Sequence, residues 1–155
     1  MKDFVFELCD RIRETSYAIH EYHGSGHLEK VYENALAHRL RKAGIGVEQQ
    51  HPVEVRDEDG TAIGEYKADL LVEGQLIVEL KATKTVVDEN VAQLLGYLHG
   101  SKIEHGLLVN FGAQKFYIKK YAMLKNPPKS GSKFGIAGMV LSALFLFVSF
   151  CVFCG

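Results

Sequence analysis

Cysteine is scarce in this sequence, which excludes one common way of stabilising a small domain. Only three of the 155 residues are cysteines, one in the predicted first helix and two near the end of the chain, so no disulfide framework is expected. Cys151 and Cys154 have C-x2-C spacing, but a lone pair inside an apolar run cannot supply the four ligands of a zinc site. The first residues form no apolar segment of the signal-peptide kind, so we expect no secretory signal.

The sequence also lacks the excess of positive charge that accompanies tight, non-specific binding to nucleic acid. Residues 1–124 contain 15 Lys and Arg residues against 19 Asp and Glu residues, a net charge of about −4. Residues 125–155 contain three Lys and no acidic residue. A polyanionic partner would therefore need a local basic patch or a bound cation.

The composition is otherwise that of a folded protein. Apolar residues make up 47% of the sequence and charged residues 24%, and the length suffices for one domain with its own core. We assign this domain to residues 1–124, with a linker over 125–133 marked by Pro, Gly and Ser.

The remaining segment, residues 134–154, holds 21 residues without a charge. At ~1.5 Å per residue this length crosses the ~30 Å of hydrocarbon in a bilayer, which predicts a C-terminal transmembrane helix. Three lysines precede it, and positive flanking charge stays on the cytoplasmic side. We therefore expect a cytoplasmic domain that is tail-anchored in the cytoplasmic membrane. A helix buried in a dimer and a tail without a role are the alternatives.

Hydrophobic periodicity predicts eight elements in the order α, α, β, β, β, α, β, β. Strands mixed with a crossover helix favour an α/β fold around one mixed sheet. The predicted helices cover residues 3–20, 27–43 and 88–99, and the predicted strands cover residues 47–56, 63–72, 76–81, 105–111 and 115–121.

The strands over 63–72 and 76–81 read as a hairpin with a three-residue turn. Its even positions are all apolar from Tyr66 onward, whereas its odd positions are mostly charged. Because both apolar sets must face one side, Val72 should pair with Leu76. The charged positions are Glu65, Lys67, Asp69, Glu79 and Lys81.

This register places Asp69 opposite Glu79, with their Cβ atoms ~5 Å apart. Two facing carboxylates permit two interpretations. Lys67 and Lys81 neutralise them on a solvated face, or the two acids hold a divalent cation such as Mg²⁺, which takes one or two carboxylates plus water.

Four motifs in order support the second interpretation by resemblance. "GHLEKVY" (26–32) fits G-x-x-E-x-x-Y, "ADLLVEGQLIVELK" (68–81) fits D-x(n)-E-x-K, and "QLLGY" (93–97) fits Q-x-x-x-Y, with "GLLVNFG" after them. Over about residues 5–122 the chain resembles the bacterial GxxExxY family of the PD-(D/E)XK nuclease superfamily. The proline that usually precedes the aspartate is Ala68 here.

The resemblance implies a restriction-endonuclease-like core, with a mixed central sheet between helices, and a nuclease dependent on Mg²⁺ or Mn²⁺. Asp69, Glu79 and the backbone carbonyl of Leu80 would bind the metal. Glu29 would add a carboxylate or serve a second metal, and Lys81 would orient or activate the attacking water. These residue types suit the hydrolysis of a phosphodiester bond, with DNA favoured over RNA as the partner.

The resemblance also implies that Gln93 and Tyr97 border the substrate. On the predicted helix, however, they lie roughly opposite the apolar stripe, so plain exposed residues are the alternative. Glu29 has a similar alternative as a solvated helix carboxylate. For the whole protein, the rivals to a nuclease are a non-catalytic interaction module of the same fold, which the acidic domain favours somewhat, and a membrane-tethered structural subunit.

Overall fold

The computed structural model describes residues 4–123, in which three helices surround one five-stranded sheet. The predicted order of elements is confirmed, and every boundary lies within three residues of its prediction. The helices are α1 (Phe4–His23), α2 (Glu29–Lys42) and α3 (Asp88–Ser101). The strands are β1 (Val47–Arg56), β2 (Ala62–Val72), β3 (Leu76–Lys81), β4 (His105–Asn110) and β5 (Tyr117–Ala122).

The sheet is mixed, as predicted. Its strands lie in the order β1-β2-β3-β4-β5, and every neighbouring pair is antiparallel except β3 and β4. A parallel pair needs a long crossover, and α3 supplies it here. The predicted linker over 125–133 and helix over 134–154 lie outside the described residues. None of the helices within residues 4–123 is both long and apolar enough to cross a membrane.

Apolar side chains fill a core on each face of the sheet. On one face, α1 and α2 cover side chains such as Leu70, Val78 and Val109. On the other face, α3 covers side chains such as Ile77 and Leu108. The central strand β3 is therefore buried at all six positions, as expected of a strand with helices on both sides.

The predicted register of the β2–β3 hairpin is confirmed, but the prediction of one wholly apolar face is wrong. Val72 pairs with Leu76 and Leu70 with Val78. Leu70 packs against the α1–α2 core, however, whereas Ala68 packs against the α3 core. Strict alternation would put both on one face, so β2 changes face across Asp69.

A backbone irregularity in the neighbouring strand accompanies this change of face. Gln50 has a φ of 55°, in the left-handed region that non-glycine residues seldom adopt. The β1–β2 pairing passes from Gln49 with Leu70 to His51 with Ala68, so Gln50 faces Asp69 across an interrupted ladder. The kink therefore lies beside the predicted metal ligand.

Two apolar residues near the start of α2 lie outside the core. Leu28 and Val31 are 78% and 41% exposed, whereas Tyr32 and Leu36 are buried. Leu28 precedes the first helical residue, so it does not share the helix periodicity. The charged Glu33 is buried in place of the two apolar residues.

The loop before α2 explains most of the G-x-x-E-x-x-Y motif in structural terms. Gly24 and Gly26 have φ values of 66° and 116°, which favour glycine. The hydroxyl of Tyr32 donates to the carbonyl of Gly24 at 2.7 Å and accepts the backbone N–H of His27 at 3.2 Å. Its ring stacks on Phe111 with the centroids 4.6 Å apart. Tyr32 thus anchors the loop to the core.

Candidate active site

The predicted catalytic residues come from three elements that meet at the sheet. Asp69 lies on β2, Glu79 and Lys81 lie on β3, and Glu29 is the first residue of α2. Glu79 and Lys81 are only 2% and 9% exposed. The interpretation of these charges as a solvated face is therefore wrong for β3, because α3 covers that face of the sheet.

Glu79 and Lys81 form a buried ion pair. The Nζ of Lys81 donates to Oε1 of Glu79 at 2.6 Å. The second oxygen, Oε2 of Glu79, is buried and has no hydrogen-bond partner among residues 4–123. A buried carboxylate oxygen left in this state is costly unless something else, such as a cation, satisfies it.

Asp69 is attached to the adjacent strand through its carboxylate. Its Oδ2 accepts the backbone N–H of Leu80 at 2.8 Å, and its Oδ1 lies 3.4 Å from Nε2 of Gln50. Asp69 therefore lies beside the Glu79–Lys81 segment of β3, as the hairpin register requires.

Burial and the charges of neighbouring carboxylates raise the pKa values of Glu79, Asp69 and Glu29. Burial, followed by the charge of Asp69, raises the pKa of Glu79 to about 7. Burial also raises the pKa of Asp69 and of Glu29, and the charge of Asp69 adds to the effect at Glu29. Close, partly desolvated acids of this kind are found where a protein holds a cation or moves protons.

Lys81 has the opposite electrostatics. Burial alone would lower its pKa, but the hydrogen bond and charge of Glu79, together with the charges of Glu29 and Asp69, raise the pKa above its ordinary value. Lys81 therefore stays protonated and provides a fixed positive charge at the site.

The donor atoms suit a hard divalent cation. Asp69, Glu79 and Glu29 offer carboxylate oxygens, the ligands that Mg²⁺ and Mn²⁺ prefer, and Oε2 of Glu79 is buried without a hydrogen-bond partner in the described range 4–123. Across the part of the chain that the structure describes, no three His, Cys, Asp or Glu side chains converge closely enough to form a ready metal cage. Mg²⁺ does not require one, since it keeps several of its waters.

Glu33 is a buried carboxylate that sequence reasoning missed. It is 2% exposed, and its oxygens accept hydrogen bonds from Lys30 at 2.6 Å, Gln49 at 2.8 Å and Gln50 at 2.9 Å. Gln50 thus links Glu33 to Asp69. Little in the sequence points to Glu33, because an acidic residue on a helix normally faces solvent. Only the folded structure brings Gln49 and Gln50 over it.

Gln93 and Tyr97 lie together on α3. Nε2 of Gln93 donates to the hydroxyl of Tyr97 at 2.6 Å. Gln93 is exposed, but Tyr97 is only 5% exposed and packs in the α3 core, so its expected place opposite the apolar stripe is wrong. Burial, and then the charges of Glu79 and Asp69, raise the pKa of Tyr97. The hydroxyl of Tyr97 is therefore close enough to Glu79 and Asp69 to be affected by their charges.

The segment after Lys81 is fixed by two residues of the "VNFG" sequence. The buried Asn110 pairs with Lys81 in the β3–β4 register. Its side chain accepts the N–H of Thr83 at 3.1 Å and donates to the carbonyl of Thr83 at 2.8 Å. A Cβ on Gly112 would lie 2.3 Å from the backbone of Ala82, so only glycine fits there. The sequence alone shows this motif but not its role, which depends on the contact between the segments after β3 and β4.

Comparison with known proteins identifies the superfamily of this chain. A sequence model of the PD-(D/E)XK nuclease superfamily matches residues 6–121. The chain therefore belongs to the PD-(D/E)XK nuclease superfamily, as the D-x(n)-E-x-K pattern predicted.

Among solved structures, the chain is similar to the one titled "Crystal structure of SSO0001", with a TM-score of 0.50 and 16% sequence identity. The alignment covers 74% of this chain and 55% of the other, so this chain spans about half the length of that protein. At this identity the likeness concerns the fold alone. No curated protein matches the sequence.

Proposed function

We propose that this protein is a nuclease of the GxxExxY family that hydrolyses phosphodiester bonds with the help of Mg²⁺ or Mn²⁺. The observation that carries the proposal is the buried Glu79, which is paired with Lys81 through one oxygen while the other oxygen has no partner among the described residues. A purely structural ion pair would gain nothing from the nearby Asp69, because facing carboxylates repel each other.

In this proposal Asp69 and Glu79 bind the metal through their carboxylates and Leu80 through its backbone carbonyl. Glu29 adds a further carboxylate from the start of α2. A divalent ion held there would offset negative charge on the scissile phosphate and lower the pKa of bound water.

Lys81 supplies the fixed positive charge of the site. Because its ammonium group is held by Glu79 at 2.6 Å, it is already oriented before substrate arrives. A preorganised donor of this kind stabilises the charge that develops during attack on a phosphate and orients the attacking water. Gln93 and Tyr97 then border the substrate, with the exposed Gln93 available for direct contact.

The test is a cleavage assay of the purified protein on labelled single-stranded and double-stranded DNA and RNA, with Mg²⁺, Mn²⁺ or EDTA. The wild type should cleave at least one substrate only with metal. Lys81→Ala should lower the rate by roughly 10²- to 10³-fold. The matched control is Lys42→Ala, which removes an exposed lysine at the end of α2 and should leave the rate unchanged.

Cleavage by Lys81→Ala at the wild-type rate would reject the mechanism. Absence of cleavage on all substrates, together with intact nucleic-acid or protein binding, would favour the non-catalytic interaction module instead.

A further inference from the structure

A groove of about 400 Å³ opens next to the candidate active site, on the face of the sheet that α3 covers. One wall is the loop between β3 and α3, including Lys84. The other is the connection between β4 and β5, including Lys115, together with β5 itself. Its volume falls within the range of ~300–1,000 Å³ typical of ligand sites.

The groove lies beside Lys81 in the strand register. Lys81 pairs with Asn110, and Asn110 pairs with Tyr117, so the three residues form one row across β3, β4 and β5. Neighbouring strands are ~4.8 Å apart, which places Tyr117 about 10 Å from Lys81 along the sheet. Asn110 and Tyr117 both line the groove. A polymeric ligand with one of its units at Lys81 could therefore extend along the sheet into the groove.

The groove has positive charge available for a ligand. Lys84, Lys115 and Lys119 line it, and none of them forms an ion pair with another residue of the described range 4–123. Asp88 is the acidic residue among the lining residues. Residues 81–123 contain six lysines against three acids, whereas residues 4–80 contain eight basic residues against fifteen acids. The negative net charge of the domain therefore comes from residues 4–80, whereas residues 81–123, which form the groove, have an excess of positive charge.

Aromatic rings alternate with these lysines. Phe116, Tyr117 and Tyr121 line the groove, and the Nζ of Lys119 lies 5.4 Å from the ring centroid of Tyr121. The ring of Phe116 packs against the α1–α2 core, whereas Tyr117 is partly exposed on the groove side. Cations that track a phosphate backbone, interleaved with rings on which bases stack, are the chemistry of single-strand binding. A duplex keeps its bases stacked inside and cannot use such rings.

We propose that this groove binds one unpaired nucleic-acid strand, with the three lysines on its phosphates and Tyr117 against its bases. The inference rests on the proposed function in that it names the form of the substrate, single-stranded rather than double-stranded. DNA and RNA share this chemistry, since both present phosphates and stackable bases.

The test measures binding without cleavage, by fluorescence anisotropy of labelled oligo-dT, oligo-rU and a hairpin duplex in EDTA. The double variant Lys115→Ala/Lys119→Ala should weaken binding of the single strands by roughly 10- to 30-fold at about 0.1 M salt, and should reduce the slope of log K against log salt by about 1.4. The matched control, Arg11→Ala/Lys42→Ala, removes two exposed charges from α1 and α2 and should bind as the wild type does.

A second variant tests the aromatic contribution. Tyr117→Leu should weaken binding of single strands while leaving the salt slope unchanged, because stacking releases no counterions. Thermal melting of each variant checks that it is folded. Comparison of oligo-dT with oligo-rU shows which nucleic acid is preferred.

The inference is overturned if the duplex binds more tightly than the single strands, or if the groove variant binds as tightly as its control. It is also overturned if the wild type binds no single strand, whereas metal-dependent cleavage of a duplex would leave the proposed nuclease function intact. The opposite result is tight single-strand binding that depends on Lys115 and Lys119 but is accompanied by no cleavage. It would support the groove as a binding site and reject the nuclease function.

Discussion

Glu79 shows how a single residue can make the stability of this domain depend on pH. Its pKa of about 7 in the folded protein exceeds the ordinary glutamate value of 4.5. A carboxyl group with a raised pKa stabilises the fold when protonated. That stability is fully present below pH 4.5 and is lost as the pH rises through about 7. The size of the effect is about 3 kcal/mol.

We therefore expect the metal-free wild type to melt at a lower temperature at pH 8 than at pH 5. Glu79→Gln removes the titrating group and should show a smaller difference. Asp69 and Glu29 still contribute in the same direction, because their pKa values are raised too. Thermal melts in EDTA across this range measure the effect, and equal pH dependence in both proteins would contradict it.

A divalent cation should reverse this destabilisation. Ligand carboxylates must lose their protons to bind metal, so Mg²⁺ or Mn²⁺ should raise the melting temperature more at pH 8 than at pH 6. Asp69→Asn should lose most of this shift, whereas Lys81→Ala should keep it, because Lys81 is not a ligand. Differential scanning fluorimetry with and without metal gives the answer. A full shift in Asp69→Asn would remove Asp69 from the ligand set.

Sequence reasoning found the residues whose positions follow from strand alternation and missed those that depend on packing between distant elements. Asp69, Glu79 and Lys81 follow from a period of two and a short turn. Glu33 becomes buried only because Gln49 and Gln50 lie over it from β1. No local pattern in the sequence of α2 predicts that contact.

Among the elements, the β2–β3 hairpin also has one feature that the sequence predicts and one that it does not. Its register follows from the turn length and the apolar positions, and the structure has that register. The change of face at Asp69 does not follow, because it accompanies a left-handed residue, Gln50, in a different strand. Periodicity assumes strict alternation along each strand. The prediction therefore places Ala68 on the same face as Leu70, whereas it packs against the α3 core.

The connection between β4 and β5 packs against the segment that follows Lys81, and this contact can be tested by mutation. Gly112→Ala would force a Cβ within 2.3 Å of the Ala82 backbone, so the segment after Lys81 must move. We expect a loss of about 1–3 kcal/mol of stability, as for other overpacked sites, and a lower rate of any cleavage.

The control for this prediction is Gly96→Ala on α3, where an added Cβ meets nothing within 4 Å. A helical Gly to Ala change should instead stabilise the domain by about 0.5–1 kcal/mol. Urea denaturation measures both variants. Equal stability of Gly112→Ala and the wild type would mean that the two backbone segments separate without cost.

At the scale of the whole molecule, the uncharged run over residues 134–154 remains the largest prediction that lies outside the described residues. In water, so much exposed apolar surface would promote aggregation, so we propose that it anchors the protein to the cytoplasmic membrane. Fractionation of cells should find the full chain with membranes and the truncation to residues 1–124 in the soluble fraction. A full chain that is soluble and monodisperse without detergent would instead indicate a helix buried in a dimer or a tail without a role.

The position of β3 has a consequence for the lifetime of the site. The strand is paired on both edges and buried at all six positions, and it carries both Glu79 and Lys81. Backbone amides in such a strand exchange with solvent mainly through global unfolding, whereas termini and loops open locally at little cost. The ion pair should therefore persist until the entire domain unfolds. Partial denaturation should therefore open the loops that line the groove before it separates Glu79 from Lys81.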